Sequence, residues 1–155
     1  MKIKMLVMDV DGTLTDGHIY MSAAGEAMKA FHSQDGYGIA QILPKKGITP
    51  VIITGRNSQI VANRAAELKI TRLHQGVSDK LPVLKAIAAE LGAAPEEIAY
   101  IGDDLNDLAC MQYCGLTGCP ADAVPEIRKA VDFVSSRDGG RGAVREFVDY
   151  ICNAM

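Results

Sequence analysis

The stretch from Met5 to Thr13 constrains the fold of this chain more than any other. Its apolar residues form a short, β-rich run that leads to a glycine, which is the pattern of a buried strand followed by a sharp turn. Asp9 and Asp11 stand where this strand ends, and side chains two residues apart on an extended chain point the same way. Burying two carboxylates at one point costs free energy unless a cation or a shared proton offsets their repulsion. The pair therefore indicates a functional site, and the alternative is an ordinary Asp-Gly turn after a strand.

Buried, β-branched runs alternate with amphipathic runs over the rest of the chain. The further predicted strands are 50–54, a weaker one around Leu73, 97–101, a short one near Leu116, and 131–134. The first predicted helix begins at Ser33 and is stopped by Pro44 and Gly47. The second is capped by Asn57 or Ser58, the third by Ser78, and a short fourth helix ends at Met111. A fifth begins at Pro125, and the last has Val144 to Ile151 on one face. Strands that alternate with helices predict an α/β fold with a doubly wound parallel sheet. In such a sheet the ligand lies beyond the carboxyl ends of the strands, where the strand order reverses.

Residues 17–31 are expected to form a β-hairpin that protrudes from this sheet, with no cap domain inserted. Two short alternating runs, 18–21 and 27–31, flank a turn at Gly25. An isolated hairpin is only marginally stable in water. We therefore expect the hairpin to pack against another surface, for which an identical subunit is the simplest candidate.

The length and composition predict one domain that covers residues 1–155. The chain is 48% apolar and has a formal net charge of -3, which argues against nucleic acid as a partner. The sequence predicts neither a signal peptide nor a membrane span, so the expected location is the cytoplasm, with no membrane partner. The four cysteines have no histidine near them and are expected to be free thiols rather than a metal cluster.

Polar side chains follow three of the predicted strands. They are Asp9 and Asp11 on the first, Thr54 on the second, and Asp103, Asp104 and Asp107 after the fourth, with Lys80 at the start of the helix between. Carboxylate oxygens without histidine or thiol favour magnesium over zinc or copper. A lysine is the natural partner of surplus acid and of phosphate, and Thr54 with the amides that follow it would hold phosphate oxygens. The alternative is that Asp103 and Asp104 cap a helix and that Lys80 is a solvated helix residue.

This ordered set resembles the four motifs of the haloacid dehalogenase superfamily of phosphotransferases. The motifs correspond to Asp9-Val10-Asp11-Gly12-Thr13, Thr54, Lys80 and Gly102-Asp103-Asp104 with Asp107. The resemblance implies a Rossmann-like sheet and an aspartyl-phosphate formed on Asp9. Asp11 would then protonate the leaving oxygen and deprotonate the attacking water. It also implies Mg²⁺ on the Asp9 carboxylate, the Asp11 carbonyl and Asp103, with Asp104 and Asp107 behind these ligands.

Within that superfamily the chain resembles the 3-deoxy-D-manno-octulosonate 8-phosphate phosphatases, capless homotetramers of lipopolysaccharide sugar synthesis. The matching stretches include 35–39, 53–56, 99–104 and 139–146. The resemblance implies hydrolysis of a sugar-acid phosphate in a site roofed by the hairpin of a neighbouring subunit. The implied substrate contacts are Asp11, His32, Ser33, Gln34, Asp35, Gly36, Thr54, Gly55, Arg56, Arg64, Lys80, Asn106 and Arg141. Gln34 and Ala40 stand where that family usually has basic residues.

Other interpretations of the same residues remain open at this point. A sister family hydrolyses the 9-phosphates of nonulosonic acids on the same scaffold. A receiver-like signalling module also places acids, a threonine and a lysine over a parallel sheet, but its phosphoacceptor lies on a later strand than Asp9. A subunit that uses the fold only for assembly is the third alternative, and the complete motif set argues against it.

Overall fold

The alternation of helices and strands is confirmed in the computed structural model, which describes all 155 residues. The strands are β1 (Met5–Met8), β2 (Tyr20–Ser22), β3 (Gly25–Met28), β4 (Thr49–Ile53), β5 (Arg72–His74), β6 (Ile98–Ile101), β7 (Leu116–Cys119) and β8 (Phe133–Val134). The helices are α1 (Ser33–Tyr37), α2 (Leu43–Lys45), α3 (Gln59–Glu67), α4 (Lys80–Leu91), α5 (Leu108–Tyr113), α6 (Pro125–Ala130) and α7 (Ala143–Ala154). Single 3-10 turns lie at Pro95–Glu97 and Leu105–Asp107.

Six strands form one parallel sheet in the order β5-β4-β1-β6-β7-β8. Met8, the last residue of β1, lies opposite Ile52 of β4 and Ile101 of β6. The chain moves outward from β1 to β5 on one side and from β6 to β8 on the other, so the strand order reverses between β1 and β6. Their carboxyl ends are therefore the expected position of a ligand, and the predicted doubly wound sheet is confirmed.

The buried apolar residues divide into two clusters, one on each face of the sheet. Leu6 and Met8 belong to a cluster of 19 residues that also contains Phe147 of α7. Met5 and Val7 belong to a cluster of 14 residues on the other face. Because helices cover both faces, every residue of β1 is buried, which explains why the strand is an uninterrupted apolar run.

The helix predicted after Ser33 does not end at Pro44 in the way expected. Pro44 lies inside α2, and a π-helical segment, Gly38–Ile42, joins α1 to α2. In it the amide of Leu43 donates to the carbonyl of Gly38, five residues back. A proline in a regular helix presses on the carbonyl four residues before it, here that of Ala40, and a wider turn gives that ring room.

Two predicted helix caps have different outcomes. Ser58 caps α3 as predicted, since its hydroxyl accepts a hydrogen bond from the amide of Val61 at 3.3 Å. The prediction that Ser78 caps α4 is wrong, because the chain stays extended through Asp79 and the helix begins one residue later. The Asp79 side chain makes no capping hydrogen bond either.

The predicted hairpin is confirmed as β2 and β3, which form a separate two-stranded antiparallel sheet. Its turn lies at Ala23 and Ala24 rather than at the predicted Gly25, which belongs to β3. Ile19, Met21 and Met28 expose 40%, 63% and 54% of their surface, so the hairpin presents apolar side chains to solvent. The four cysteines are free. None of the helices combines the length and the apolarity that crossing a bilayer requires.

Candidate active site

An open cavity of about 220 Å³ lies where β1, β4 and β6 end. Its lining consists of Asp9, Asp11, Thr54, Gly55, Arg56, Asp103, Asp104 and Asn106. All of them except Asp104 are residues that the sequence had indicated as catalytic, metal-binding or substrate-binding, and Asp104 was expected behind the metal ligands. The fold thus brings together three motifs that are separated by up to about a hundred residues along the chain, because parallel strands end at the same edge of a sheet.

Lys80 lies behind the cavity, where the first turn of α4 is packed against the sheet. Its side chain is only 1% exposed, and its Nζ is 3.0 Å from Asp9 Oδ1 and 2.9 Å from Asp107 Oδ1. Burial on its own lowers the pKa of Lys80, but the attraction of the two carboxylates outweighs burial and the pKa is raised. Lys80 is therefore a fixed positive charge that supports Asp9 from within the protein.

Asp107 is fully buried and holds the surrounding groups in place. Its Oδ1 accepts hydrogen bonds from Lys80 and, at 2.5 Å, from the hydroxyl of Tyr100 on β6. Its Oδ2 accepts from the amides of Asp103 at 3.0 Å and Asp104 at 3.3 Å. Both oxygens are thus engaged by the protein, and Asp107 fixes the loop that carries Asp103.

Two glycines make room for these carboxylates. A Cβ on Gly12, which has a φ of +89°, would lie 2.0 Å from Asp103 Oδ2. A Cβ on Gly102 would lie 2.3 Å from Cγ of Asp107. Neither position accepts a side chain without displacing an acidic group of the cavity, which explains the glycine that follows the aspartate pair and the one that precedes Asp103.

The acidic groups at the cavity have the composition and spacing of a site for a hard cation. Asp9, Asp103 and Asp107 place carboxylate oxygens within 4.8 Å of one another. Burial and then repulsion from Asp107 raise the pKa of Asp9, and burial with repulsion from Asp9 and Asp107 raises that of Asp103. Lys80 offsets only part of this charge. The donors present therefore fit a divalent ion that prefers oxygen, such as Mg²⁺.

Asp11 lines the same cavity, but its carboxylate is not one of these clustered groups. Its Oδ1 is 2.5 Å from Nζ of Lys29, which follows β3. Lys29 is also 3.1 Å from Glu26 Oε2, and Ser58 donates to Glu26 Oε1 at 2.5 Å. Burial lowers the pKa of Lys29, but the two carboxylates outweigh it and raise the pKa. The hairpin is thus tied to the loop after β1 within one chain.

Lys29, Glu26 and Ser58 belong to none of the motifs that indicated a site in the sequence. On a regular strand, residues three apart point to opposite faces, so the spacing of Glu26 and Lys29 gave no signal that they act together. In the structure Tyr20 pairs with Met28 and Met21 with Glu26, which leaves one extra residue, Ala27, on β3. Such a β-bulge turns the following side chain to the other face.

Several predicted substrate contacts do not line the cavity of their own chain. Besides Lys80, which lies behind the cavity, they are His32, Ser33, Gln34, Asp35, Gly36, Arg64 and Arg141. The His32 ring accepts a hydrogen bond from the Gln34 amide and so begins α1, and Gln34 Oε1 accepts one from Arg137. Arg64 pairs with Glu67 and lies over the Phe31 ring.

Asp35 is 2% exposed and contacts α7 instead of the cavity. Its Oδ1 accepts a hydrogen bond of 2.9 Å from the amide of Arg145, in the first turn of that helix. Gly142, which precedes α7, has no side chain to cap it. Asp35 therefore caps α7 from another part of the chain.

Comparisons with known proteins agree with this geometry. A model of the haloacid dehalogenase-like hydrolases matches residues 73–147. The chain is 47% identical over 153 residues to the 3-deoxy-D-manno-octulosonate 8-phosphate phosphatase of Escherichia coli, covering 99% of this chain and 81% of that protein.

Solved structures give the same result. The crystal structure of the corresponding phosphatase from Yersinia pestis superposes with a TM-score of 0.94 at 47% identity, over 98% of this chain and 82% of that one. The Moraxella catarrhalis phosphatase, crystallised with a magnesium ion, a phosphate ion and a KDO molecule, has a TM-score of 0.94 at 42% identity, over 99% and 87% of the two chains. Sequence, fold and the arrangement of acids around Lys80 thus lead to one conclusion: the chain belongs to the 3-deoxy-D-manno-octulosonate 8-phosphate phosphatase family of haloacid dehalogenase-like hydrolases.

Proposed function

We propose that this chain hydrolyses 3-deoxy-D-manno-octulosonate 8-phosphate, a precursor in lipopolysaccharide synthesis, in a Mg²⁺-dependent reaction through an aspartyl-phosphate. One observation carries the proposal: the carboxylate of Asp9 lines the open cavity and is held from behind by the buried ammonium group of Lys80. A carboxylate fixed in this way is a nucleophile that needs no base. The family supplies the reaction class, and the substrate in the names of its relatives supports the choice of sugar.

The residues that would hold Mg²⁺ are Asp9 and Asp103 through their carboxylates and Asp11 through its backbone carbonyl. Asp107, whose oxygens are engaged by Lys80, Tyr100 and two amides, lies behind them and fixes their positions. Asp104 belongs to the same loop. When bound, Mg²⁺ neutralises the negative charge of the phosphoryl oxygens and so lets an anionic nucleophile approach.

In the first half of the reaction, an oxygen of Asp9 attacks phosphorus and the bond from phosphorus to the sugar oxygen breaks. Asp11 gives its proton to that departing oxygen, so the sugar leaves as an alcohol. Thr54 and the amides that follow it bind the phosphoryl oxygens during the transfer, while the ammonium group of Lys80 offsets negative charge from behind Asp9. The product of this half is an aspartyl-phosphate on Asp9.

In the second half, the Asp11 carboxylate takes a proton from a water molecule whose oxygen attacks phosphorus. The acyl-phosphate bond breaks, inorganic phosphate leaves and the carboxylate of Asp9 is restored. Asp11 has regained the proton that it gave up, so the cycle is balanced. This division of roles requires the Asp11 carboxylate to face the leaving group and the water instead of binding the metal.

We further propose that the active species is a cytoplasmic homotetramer in which neighbouring subunits close the site. The cavity is open to solvent in one chain, and the hairpin exposes Ile19, Met21 and Met28. A neighbour that covers this hairpin buries the apolar side chains and excludes water from the cavity. In this arrangement Arg56 at the rim, and Gln34 and Arg141 of a neighbouring copy, contact the sugar acid.

A phosphate-release assay over sugar-acid phosphates tests the proposed function. We expect the 8-phosphate of 3-deoxy-D-manno-octulosonate to be hydrolysed with a higher kcat/KM than the 9-phosphates of nonulosonic acids, and hydrolysis to stop when Mg²⁺ is chelated. A preference for the nonulosonic substrates would transfer the chain to the sister activity. Absence of phosphate release from every ester, including aryl phosphates, would overturn the enzymatic assignment and favour the receiver-like or assembly role.

A further inference from the structure

We propose that Lys29 is a positioning residue that holds the carboxylate of Asp11 away from the metal ligands and directs it to the leaving group. The inference rests on the proposed function, in which Asp11 transfers protons. Lys29 follows β3 of the hairpin, and its side chain is 2% exposed. Its ammonium group lies 2.5 Å from Asp11 Oδ1. No motif of the sequence indicated this contact.

Lys29 is itself fixed from a second side. Glu26 Oε2 is 3.1 Å from its Nζ, while Glu26 Oε1 accepts a hydrogen bond of 2.5 Å from Ser58. Ser58 is 7% exposed and caps α3, which packs against the sheet. Lys29 is thus attached through Glu26 to a helix of the core, and the position of its ammonium group does not depend on the exposed tip of the hairpin.

The position of the Asp11 carboxylate matters because two uses compete for it. Asp9, only two residues away, belongs with Asp103 and Asp107 to the cluster whose carboxylate oxygens lie within 4.8 Å of one another. A divalent ion there would attract a free carboxylate on Asp11, and a carboxylate bound to the ion could not carry a proton to the leaving oxygen. The contact with Lys29 removes one Asp11 oxygen from that competition.

The test uses Lys29→Met, which keeps the length of the side chain and removes its ammonium group. Isothermal titration is expected to show Mg²⁺ bound several-fold more tightly, because the freed Asp11 carboxylate can join the ligands. At the same time kcat/KM for the sugar 8-phosphate is expected to fall by about tenfold or more, within the range that a positioned acid contributes. The loss for p-nitrophenyl phosphate should be much smaller, since nitrophenolate leaves without a proton.

A double-mutant cycle separates position from charge. Removing Lys29 also removes a positive charge near the ion, which alone strengthens Mg²⁺ binding. In an Asp11→Asn background no carboxylate is freed, so most of the affinity gain of Lys29→Met should disappear. A gain that persists in full in that background would overturn the positioning role.

Three further variants complete the experiment. Lys29→Arg keeps the charge and the contact and should restore both readouts towards those of the unmodified chain. Lys29→Gln keeps hydrogen-bond donors between the two carboxylates and serves if Lys29→Met does not fold; the same tighter binding and leaving-group dependence are expected. Lys4→Met removes a lysine paired with Glu97 at the opposite edge of the sheet and should change neither readout.

Weaker Mg²⁺ binding in Lys29→Met, or equal losses on both esters, would show that Lys29 has only a structural role. Failure of the proposed function is recognised separately. In that case the unmodified chain releases no phosphate from sugar phosphates, while the Mg²⁺ titrations of Lys29→Met, with and without Asp11→Asn, still decide the placement of Asp11.

Discussion

At the scale of single residues, the two aspartates of the first motif have different environments, and this leads to different predictions. Asp9→Asn and Asp11→Asn should each abolish turnover, the first because it removes the nucleophile and the second because it removes the proton carrier. Only Asp9 contacts Lys80 and belongs to the acidic cluster. We therefore expect Asp11→Asn to retain Mg²⁺ binding, whereas Asp103→Asn loses it. Calorimetric titration of the variants measures this, and equal loss of Mg²⁺ in Asp11→Asn and Asp103→Asn would contradict the assignment.

Lys80→Met should affect both activity and stability. The lysine is buried between Asp9 and Asp107, so its removal leaves two buried carboxylates without their cation. Breaking a buried ion pair in this way costs about 3–5 kcal/mol of unfolding free energy. Because a bound divalent ion supplies positive charge at the same carboxylates, the loss of Tm should be smaller in Mg²⁺ than in a chelator. Denaturation under both conditions provides the comparison, and turnover should remain very low in each. An unchanged Tm in the chelator would mean that Lys80 is solvated.

The same charges predict how stability depends on pH without Mg²⁺. Burial and mutual repulsion raise the pKa values of Asp9 and Asp103 in the folded chain above the ordinary value of 3.8. As the pH rises from that ordinary value through the raised ones, the folded chain still holds protons that the unfolded chain has already released. Unfolding free energy therefore falls with increasing pH over this window. Tm measured in a chelator along a pH series should decline there, and saturating Mg²⁺ should abolish the decline. A rise of Tm over the same window would contradict the raised pKa values.

At the scale of secondary-structure elements, the cap of α7 separates a structural role of Asp35 from a substrate contact. Asp35 accepts a hydrogen bond from the Arg145 amide, at a helix end where Gly142 offers no side chain. Asp35→Ala should therefore lower the unfolding free energy by about 1 kcal/mol or slightly more. Urea denaturation measures this loss, with Asp138→Ala on the neighbouring loop as a matched exposed control. Unchanged stability together with a raised KM would instead support the substrate contact implied by the family resemblance.

The strands and their functional ends could be predicted from sequence because the physical signal is local. A strand covered on both faces must be apolar throughout, as β1 is, and the polar residue that follows it lies at the edge of the sheet. The π-helical segment before Pro44 and the contact of Lys29 with Asp11 could not be predicted in this way. The first depends on how a helix accommodates a proline, and the second on the bulge at Ala27. The capping role of Asp35 could not be predicted either, since its partner on α7 lies 110 residues further along the chain.

At the scale of the whole molecule, one chain leaves two features without a partner. The cavity is open, and the hairpin exposes three large apolar side chains, Ile19, Met21 and Met28. Both are accounted for if copies of the chain cover one another's hairpins in a closed assembly, since a self-complementary contact buries the same surface on each copy. The sequence could indicate this only through the apolar residues of the hairpin.

The proposed assembly leads to the last prediction. Met21→Glu combined with Met28→Glu places charges at two exposed positions of the hairpin and should convert the proposed homotetramer into smaller species, because carboxylates cannot be buried there without partners. Sedimentation velocity at assay concentration measures the change. We expect kcat/KM for the sugar 8-phosphate to fall in proportion to dissociation, with a smaller effect on p-nitrophenyl phosphate, whose leaving group makes fewer contacts.

Val134→Glu, a similar change at an exposed position on β8, is the matched control and should leave the sedimentation coefficient unchanged. A double variant that sediments as a monomer and retains full activity on the sugar phosphate would contradict the shared site, and Arg141→Ala would then be expected to have no effect on selectivity.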